Sequence, residues 1–267
     1  MRKNKLGVFY TCFTETKAVE HSLHALFEHY PDVPVFLVSD GGSDYSFLKD
    51  VFPDKQIETL VEEDSRGCLT WMQLDPNNDA YLDDENQRRM VNSMEVFIDR
   101  TSRAIEYCDC EHLFVMEPDI LVRGKMNIPE GAKLLGSRIN NGLHPTLGEY
   151  LECFPKGKAI THWGVTPGLF HSDTFLEAAS IVKSDDTILP TMCKLEKRVV
   201  FYDALYPVLF ALVGEEETFW GDIVECFRNP NWRNTEHPLV HQYREHYPKT
   251  SEGYDSKYGD RDYMITS

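Results

Sequence analysis

Short apolar runs alternate with amphipathic stretches over the first part of the chain. The runs at 6–11, 35–38 and 57–61 are bounded by polar turns, which predicts three buried strands. Between the first two, apolar residues recur at helical steps until Pro31 ends the helix: Val19, Leu23, Leu26, Phe27 and Tyr30. Strands that alternate with helices indicate a parallel sheet with right-handed crossovers.

The pattern then changes to a polar, acidic stretch at 62–86, which predicts a long loop. From Gln87 to Cys108 apolar side chains return at three- or four-residue steps, which predicts a long amphipathic helix packed on the sheet. A buried strand is predicted next at 112–116. Further elements are predicted at 45–51 (helix), 134–136 and 164–170 (strands), 172–183 and 204–212 (helices). The last fifth has little periodicity, and we expect it to wrap the surface or to fray.

We therefore predict an α/β fold with a mixed, mainly parallel central sheet flanked by helices. No repeat or linker divides the chain, so we expect one domain over 1–267. With 42% hydrophobic residues the chain can fill a core, and a chain of this length buries roughly 75% of its unfolded surface. The formal charge of −17 argues against a nucleic-acid binder, because phosphate backbones are bound by clustered Lys and Arg. Nucleotides remain possible ligands through a divalent cation.

Cysteine usage and hydropathy indicate the compartment. The seven cysteines are an odd number without zinc-site spacing, which favours free thiols in a reducing compartment. The N-terminus lacks a signal-type apolar segment, and no run approaches about 18 apolar residues. We expect a soluble, cytoplasmic protein without a membrane span.

Three polar clusters follow predicted strands, where parallel-sheet proteins place their ligands: 11–14, 39–44 and 117–119. Glu117 and Asp119 flank Pro118 at the end of an apolar strand. Carboxylates there could hold Mg²⁺ or Mn²⁺, with phosphate oxygens and water completing the coordination. The alternative is a turn with two solvated acids.

The other two clusters offer polar contacts for a nucleotide. Asp40 could accept hydrogen bonds from a ribose hydroxyl or a base N–H, or it could form an Asx turn beside Gly41 and Gly42. Thr11 and Thr14 could line a base pocket, or they could cap the helix that starts nearby.

At these three segments the chain resembles glycosyltransferases of the GT-A fold. The matching segments are Gly7–Thr14, Val35–Asp44 and Phe114–Leu121, and the last resembles the metal-binding DxD motif of that family with Glu in first place. The chain also resembles glycosyltransferases encoded by large algal viruses. The resemblance implies a UDP- or GDP-sugar donor, a divalent metal, a donor-binding half at 1–125, and an acceptor-binding half with a C-terminal wrap at 126–267. For a viral protein, the compartment would be the host cytoplasm.

The resemblance also implies roles for single residues. Asp119 would ligate the metal that assists catalysis, and Glu117 would contact the ribose, a metal-bound water or the metal. The segment 237–244 resembles the C-terminal part that supplies a histidine ligand and a diphosphate-binding cation in some members, here His241 and Arg244. An imidazole ligand would favour Mn²⁺ over Mg²⁺. The alternative for His241 is an ordinary surface or packing role.

The second half matches the family less specifically. Asp203 stands where inverting members place the general base, or it is only a helix N-cap, and Asp222 is a competing base. Arg89 could reach the phosphates, or it could pair with acids beside it on the helix. The segment 162–171 resembles the glycine-containing strand that approaches the donor sugar, or it is an ordinary bulged strand.

These expectations combine into one functional hypothesis, a metal-assisted glycosyltransferase acting on a glycan or glycoprotein in glycan biosynthesis. A sugar-phosphate nucleotidyltransferase is an alternative, although the loop 10–15 lacks the glycines and cations that hold a triphosphate in such enzymes. The other alternative is an inert glycan- or nucleotide-binding protein of the same fold, in which tryptophans could stack on sugars.

Overall fold

The computed structural model describes residues 2–62, 84–139, 145–160, 163–196, 202–225, 231 and 234–241. The strands are β1 Asn4–Cys12, β2 Val35–Asp40, β3 Ile57–Glu62, β4 Cys110–Met116, β5 Ile120–Val122, β6 Leu134–Ile139, β7 Trp163–His171, β8 Thr218–Phe219, β9 Ile223–Glu225 and β10 Leu239–His241. The helices are α1 Thr16–His29, α2 Leu48–Val51, α3 Asp84–Cys108, α4 Pro145–Leu151, α5 Ser172–Ser184, α6 Ile188–Glu196 and α7 Tyr202–Leu212.

The predicted fold class is confirmed, because helices flank a central sheet that is mostly parallel. Its seven strands have the order β3-β2-β1-β4-β7-β6-β8, and a second sheet has the order β5-β10-β9. The chain divides into two compact units. The first comprises 1–63, 107–131 and 220–267, and the second comprises 64–106 and 132–219.

The first unit contains four parallel strands in the order β3-β2-β1-β4. Strands β1, β2 and β4 are buried because apolar residues fill them almost continuously, as parallel strands covered by helices require. The third predicted strand, β3, is not buried as expected, because it lies at the edge of the sheet and most of its side chains are half-exposed. Helix α1 forms because its apolar residues recur on one face, and that face is buried: Ala18, Val19, Leu23, Leu26 and Phe27.

The small sheet of the same unit brings a late segment of the chain beside an early one. β10 pairs antiparallel with β5 and parallel with β9. Its buried side chains Leu121, Val224 and Val240 form a cluster against which Ala25 of α1 packs. Burial against a helix stabilises strands that are too short to persist alone.

The second unit contains β6 paired antiparallel with β7 and parallel with β8. The β6–β7 register shifts between Gly136 and Ser137, opposite Thr166 and Pro167 of β7, where proline has no N–H for the ladder. An aromatic cluster fills the core of this unit: Phe170, Phe175, Tyr206 and Phe210.

The structure also differs from the predicted elements. The predicted loop at 62–86 is shorter at both ends, because Glu62 belongs to β3 and α3 begins at Asp84, while 63–83 lies outside the described residues. The predicted second helix is reduced to α2. Helix α4 and strands β5, β8, β9 and β10 were not predicted, because so few residues carry no readable period. Helix α6 was also missed, although its buried residues Ile188, Leu189, Met192 and Cys193 recur at helical steps. In the part of the chain that the structure describes, no helix is long and apolar enough to span a bilayer.

Candidate metal and nucleotide site

The carboxyl ends of β2, β1 and β4 bring three of the predicted site residues to one edge of the sheet. The β1–β4 register pairs Tyr10 with Met116, so the residues that follow, Thr11 and Glu117, lie side by side. Asp40 ends β2, the next strand along. Neighbouring strands are about 4.8 Å apart, so the backbones of β2 and β4 are about 10 Å apart at this edge.

The two acids after β4 are buried. Glu117 is 9% exposed and Asp119 is 3% exposed, so the alternative of a turn with solvated acids does not describe them. The turn is tight because the Ile120 N–H donates to the Glu117 carbonyl oxygen at 3.0 Å, and β5 follows at once. The apolar residues of β4 and β5 therefore hold both carboxylates inside the first unit.

His241 reaches the same place from the far end of the described chain. β10 places it opposite Ile120 in the ladder with β5, one residue after Asp119. Its Nε2 lies 3.8 Å from Asp119 Oδ2, and its side chain is 4% exposed. One ligand atom from each of Glu117, Asp119 and His241 can be chosen so that all three lie within 4.8 Å of one another.

This trio fits a divalent cation. A separation of 3.8 Å is too long for a hydrogen bond. Ligands that share an octahedral ion at about 2.1 Å are themselves about 3 to 4 Å apart. Asp119 Oδ1 is buried and has no hydrogen-bond partner among the described residues, and a buried carboxylate oxygen without a partner is costly. A cation would satisfy that oxygen and neutralise the two carboxylates.

The loop after β1 is held by hydrogen bonds that converge on one carbonyl group. The Phe13 oxygen accepts from the Ser43 N–H at 2.8 Å, from Tyr45 Oη at 3.1 Å and from Ser39 Oγ at 3.3 Å. The Phe13 N–H donates to Glu15 Oε2 at 3.0 Å. The loops after β1 and β2 thus form one connected structure beside the acids.

Gly42 is required by this close approach. A Cβ at that position would lie 2.0 Å from the Phe13 oxygen and 2.4 Å from its carbonyl carbon, which no side chain can tolerate without moving backbone. Gly41 before it has φ +68°, in the left-handed region that favours glycine. The glycine pair therefore sets the shape of the loop that follows Asp40.

Burial and neighbouring carboxylates make the hydroxyl and thiol groups of β1 poor acids. Burial raises the pKa of Tyr10 well above its ordinary value, and the Asp119 and Glu15 carboxylates also raise it. Burial likewise raises the pKa of the Cys12 thiol, with the Glu15 and Asp40 carboxylates adding to the shift. Both groups stay protonated at neutral pH, so neither supplies an anion at this edge.

The nucleotide-loop residues lie where they were predicted, and their roles stay predictions. Thr11, Thr14 and Asp40 are all half-buried. The N-cap position of α1 is Glu15, and no side-chain hydrogen bond caps the helix, so Thr14 is not its cap. Glu15 was not singled out from the sequence; it is 1% exposed, and its only sequence signal is an acid between a strand end and a helix.

Other predicted residues are described only in part. The side chains of Asp203 and Arg89 and the whole of Arg244 lie outside the described residues. The backbone of Asp203 lies in the first turn of α7. The competing base Asp222 has a structural contact, because its Oδ2 accepts from the Asn127 N–H.

The described tryptophan belongs to the core. Trp220 is 2% exposed, packs edge-on against Phe114 at 6.0 Å between ring centroids, and donates from Nε1 to the Asn127 oxygen. It is therefore not a sugar-stacking platform. The side chains of the other three tryptophans, Trp71, Trp163 and Trp232, lie outside the described residues.

Comparison with known proteins identifies the fold. No protein-family model and no curated protein sequence matches the chain. Among solved structures, it is similar to the galactosyltransferase LgtC, crystallised with donor and acceptor sugar analogs (TM-score 0.50, 11% identity, covering 94% of this chain and 92% of that one). Weaker similarities are to the glycosyltransferase GlyE of Streptococcus pneumoniae (TM-score 0.47, 10% identity, 93% and 57% covered) and to mouse xyloside xylosyltransferase 1 in its apo form (TM-score 0.44, 7% identity, 90% and 98% covered). At 11% identity, the similarity to LgtC shows only that this chain has the same fold as that glycosyltransferase.

Proposed function

We propose that the protein is a metal-assisted glycosyltransferase that moves a sugar from a nucleoside-diphosphate sugar to a hydroxyl group of a glycan or glycoprotein. The observation that carries the proposal is the buried trio Glu117, Asp119 and His241 beside the nucleotide-type loops. The fold shared with LgtC, whose crystals contain donor and acceptor sugar analogs, supports the same class of reaction.

The chemical problem is the charge of the leaving group. When the anomeric C–O bond of the donor breaks, the departing nucleoside diphosphate gains negative charge, and a cation beside it stabilises that charge. A divalent ion supplies Lewis-acid stabilisation of the diphosphate oxygens when bound. Asp119, Glu117 and His241 would hold it, and the mixed oxygen and nitrogen donor set favours Mn²⁺ over Mg²⁺.

The surrounding residues would bind and orient the donor. Thr11 lies beside Glu117, and Asp40 lies on the far side of β1 at the same edge of the sheet. Their oxygen atoms could accept hydrogen bonds from a ribose hydroxyl or a base N–H. The Phe13 loop, held by three donors to one carbonyl, would fix that surface before the donor arrives. We also propose Thr14 as a base-pocket residue, and Arg89 and Arg244 as the cations that meet the phosphates.

The proton of the acceptor needs a destination. We propose Asp203, in the first turn of α7, as the general base that receives the acceptor hydroxyl proton as its oxygen attacks the anomeric carbon. That assignment implies inversion at the anomeric carbon. Retention of the configuration in the product would exclude Asp203 from this role and leave the metal trio untouched.

The test is hydrolysis and transfer with a panel of UDP- and GDP-sugars in the presence of Mn²⁺. We expect slow release of free nucleoside diphosphate and faster release with a hydroxyl acceptor. Asp119→Asn should lose about 100-fold or more, as enzymes do when one group that stabilises the developing charge is removed. Asp185→Asn is the matched control, since that exposed carboxylate accepts from the Thr187 N–H and hydroxyl of a surface turn.

The same assay separates the alternatives. Formation of a nucleoside triphosphate from the nucleotide sugar and pyrophosphate would establish the nucleotidyltransferase. Binding of donors without release of nucleotide from any of them would establish the inert binding protein.

A further inference from the structure

Arg123, the residue directly after β5, connects the end of β5 to the segment before β10 by hydrogen bonds. Arg123 Nη2 lies 2.7 Å from the Thr235 carbonyl oxygen, 3.1 Å from Thr235 Oγ1 and 3.1 Å from the His237 carbonyl oxygen. The Arg123 backbone N–H donates to the Pro238 oxygen at 2.7 Å. These contacts engage three of the four residues that immediately precede β10.

The register of β10 decides which side chain faces Asp119. The ladder with β5 has three residue pairs, and it places His241 opposite Ile120. Successive residues of a strand point to opposite faces, so a slip of one residue would direct a different side chain toward the acids. Strands usually have about 5 to 6 residues, whereas β10 has three, which pair with β5 on one side and β9 on the other. Contacts outside these two short ladders can therefore add to what fixes its register.

Hydrogen bonds hold the segment that follows Arg123 in place. The Met126 N–H donates to Tyr30 Oη at the end of α1, and the Asn127 N–H donates to Asp222 Oδ2 before β9. Trp220 Nε1 donates to the Asn127 oxygen at 3.1 Å. Arg123 therefore lies between β5 and a segment fixed by hydrogen bonds. From that position its planar guanidinium can hold residues 235–237 in place.

We propose that Arg123 is a positioning residue that sets the register in which His241 faces Asp119, and that it thereby controls cation binding without touching the cation. This inference rests on the proposed function, because the effect of Arg123 is measured as a change in cation binding. Arg123 acts on the cation through His241 alone.

The test is pulsed electron paramagnetic resonance of Mn²⁺ bound to the full chain, which detects ¹⁴N modulation from a coordinated imidazole. We expect the modulation in the wild type and its absence in His241→Ala. Arg123→Met should lose most of the modulation and bind Mn²⁺ at least tenfold more weakly. Arg103→Met, which removes a surface partner of Asp99 on α3, is the matched control and should match the wild type.

A double variant tests whether the arginine acts through the histidine. The Mn²⁺ affinity of Arg123→Met/His241→Ala should equal that of His241→Ala, because the arginine has no route to the metal once the imidazole is gone. A further tenfold loss in the double variant would contradict the proposed route.

The remaining outcomes separate this inference from the proposed function. Full ¹⁴N modulation and unchanged affinity in Arg123→Met would overturn the inference and leave the metal site intact. A wild type that binds no Mn²⁺ would overturn the metal site itself. If urea unfolding shows Arg123→Met to be unfolded, Arg123→Lys carries the test: its ammonium lacks the planar fork, so intermediate modulation is expected, and full modulation would overturn the inference.

Discussion

His241 Nε2 lies 3.8 Å from Asp119 Oδ2, and both side chains are almost completely buried. They come from β10 and from the turn between β4 and β5, and the small sheet is what brings them together. Cation binding and the stability of that sheet are therefore coupled. A cation that binds only the native arrangement stabilises the fold in proportion to the logarithm of its concentration.

Mn²⁺ should accordingly stabilise the protein. At a free concentration of 100 times its Kd, the free energy of unfolding should rise by about 2.7 kcal/mol. Urea unfolding with and without Mn²⁺ measures the shift. In Asp119→Asn the shift should largely disappear, and in Asp185→Asn it should be retained. A wild-type shift that persists in Asp119→Asn would place the bound ion elsewhere.

Gly42→Ala should destabilise the protein and weaken donor binding. The new Cβ would meet the Phe13 carbonyl at 2.0 Å, and such overpacking costs about 1–3 kcal/mol or more. Gly221→Ala is the matched control, because a Cβ there has no atom within 4 Å. Urea unfolding and calorimetric titration of a nucleoside diphosphate measure the two effects. Equal stability of the two variants would show that the loops after β1 and β2 can move apart without lowering the free energy of unfolding.

Tyr10 and Ser22 predict an asymmetric pair of substitutions. Ser22 Oγ donates to the Val19 oxygen at 3.0 Å, so the Tyr10 hydroxyl is the donor in the 2.6 Å bond between the two side chains. Tyr10→Phe removes that hydrogen bond and should cost about 1 kcal/mol. Ser22→Ala leaves a buried phenol donor without its acceptor and should cost about 1–3 kcal/mol.

The thermal or urea unfolding of both single variants and of the double variant measures this asymmetry. The double variant should be at least as stable as Ser22→Ala, because the phenylalanine removes the hydroxyl group that has lost its acceptor. A larger cost for Tyr10→Phe than for Ser22→Ala would contradict the assigned direction of the hydrogen bond.

The buried thiols predict a stability that falls in alkaline solution. Burial raises the pKa of Cys12, and a hydrogen bond with Cys110 together with burial raises the pKa of Cys108. Both thiols stay protonated in the fold, whereas in the unfolded chain they ionise near pH 8.5. Their contribution to stability is complete below that pH and is lost as the pH rises toward the folded values.

The urea midpoint at pH 7.5 and 9.5 checks this sign. It should drop with pH in the wild type and drop less in Cys12→Ala. Alkylation of the native protein gives an independent readout: among the five described cysteines, the exposed Cys153 should react before the buried Cys12, Cys108, Cys110 and Cys193. Rapid alkylation of Cys12 would show that the loop after β1 opens.

The central sheet could be predicted because its information is local. Buried strands are predicted directly by the continuous apolar runs at β1, β2 and β4. The helical spacing of apolar residues likewise predicts α1. The same logic placed the acids at the carboxyl end of β4. What sequence could not give is β10: three residues carry no readable period, and their strand exists only because β5 and β9 supply hydrogen bonds on both sides.

The sequence alone therefore determined the α/β plan, the three loops at strand ends and the residue types that suit a cation. Only the tertiary structure decided that Glu117 and Asp119 are buried rather than solvated and that His241 faces them. The reason is physical. Alternation and apolar runs are properties of neighbouring residues, whereas the burial of an acid depends on which distant segment covers it.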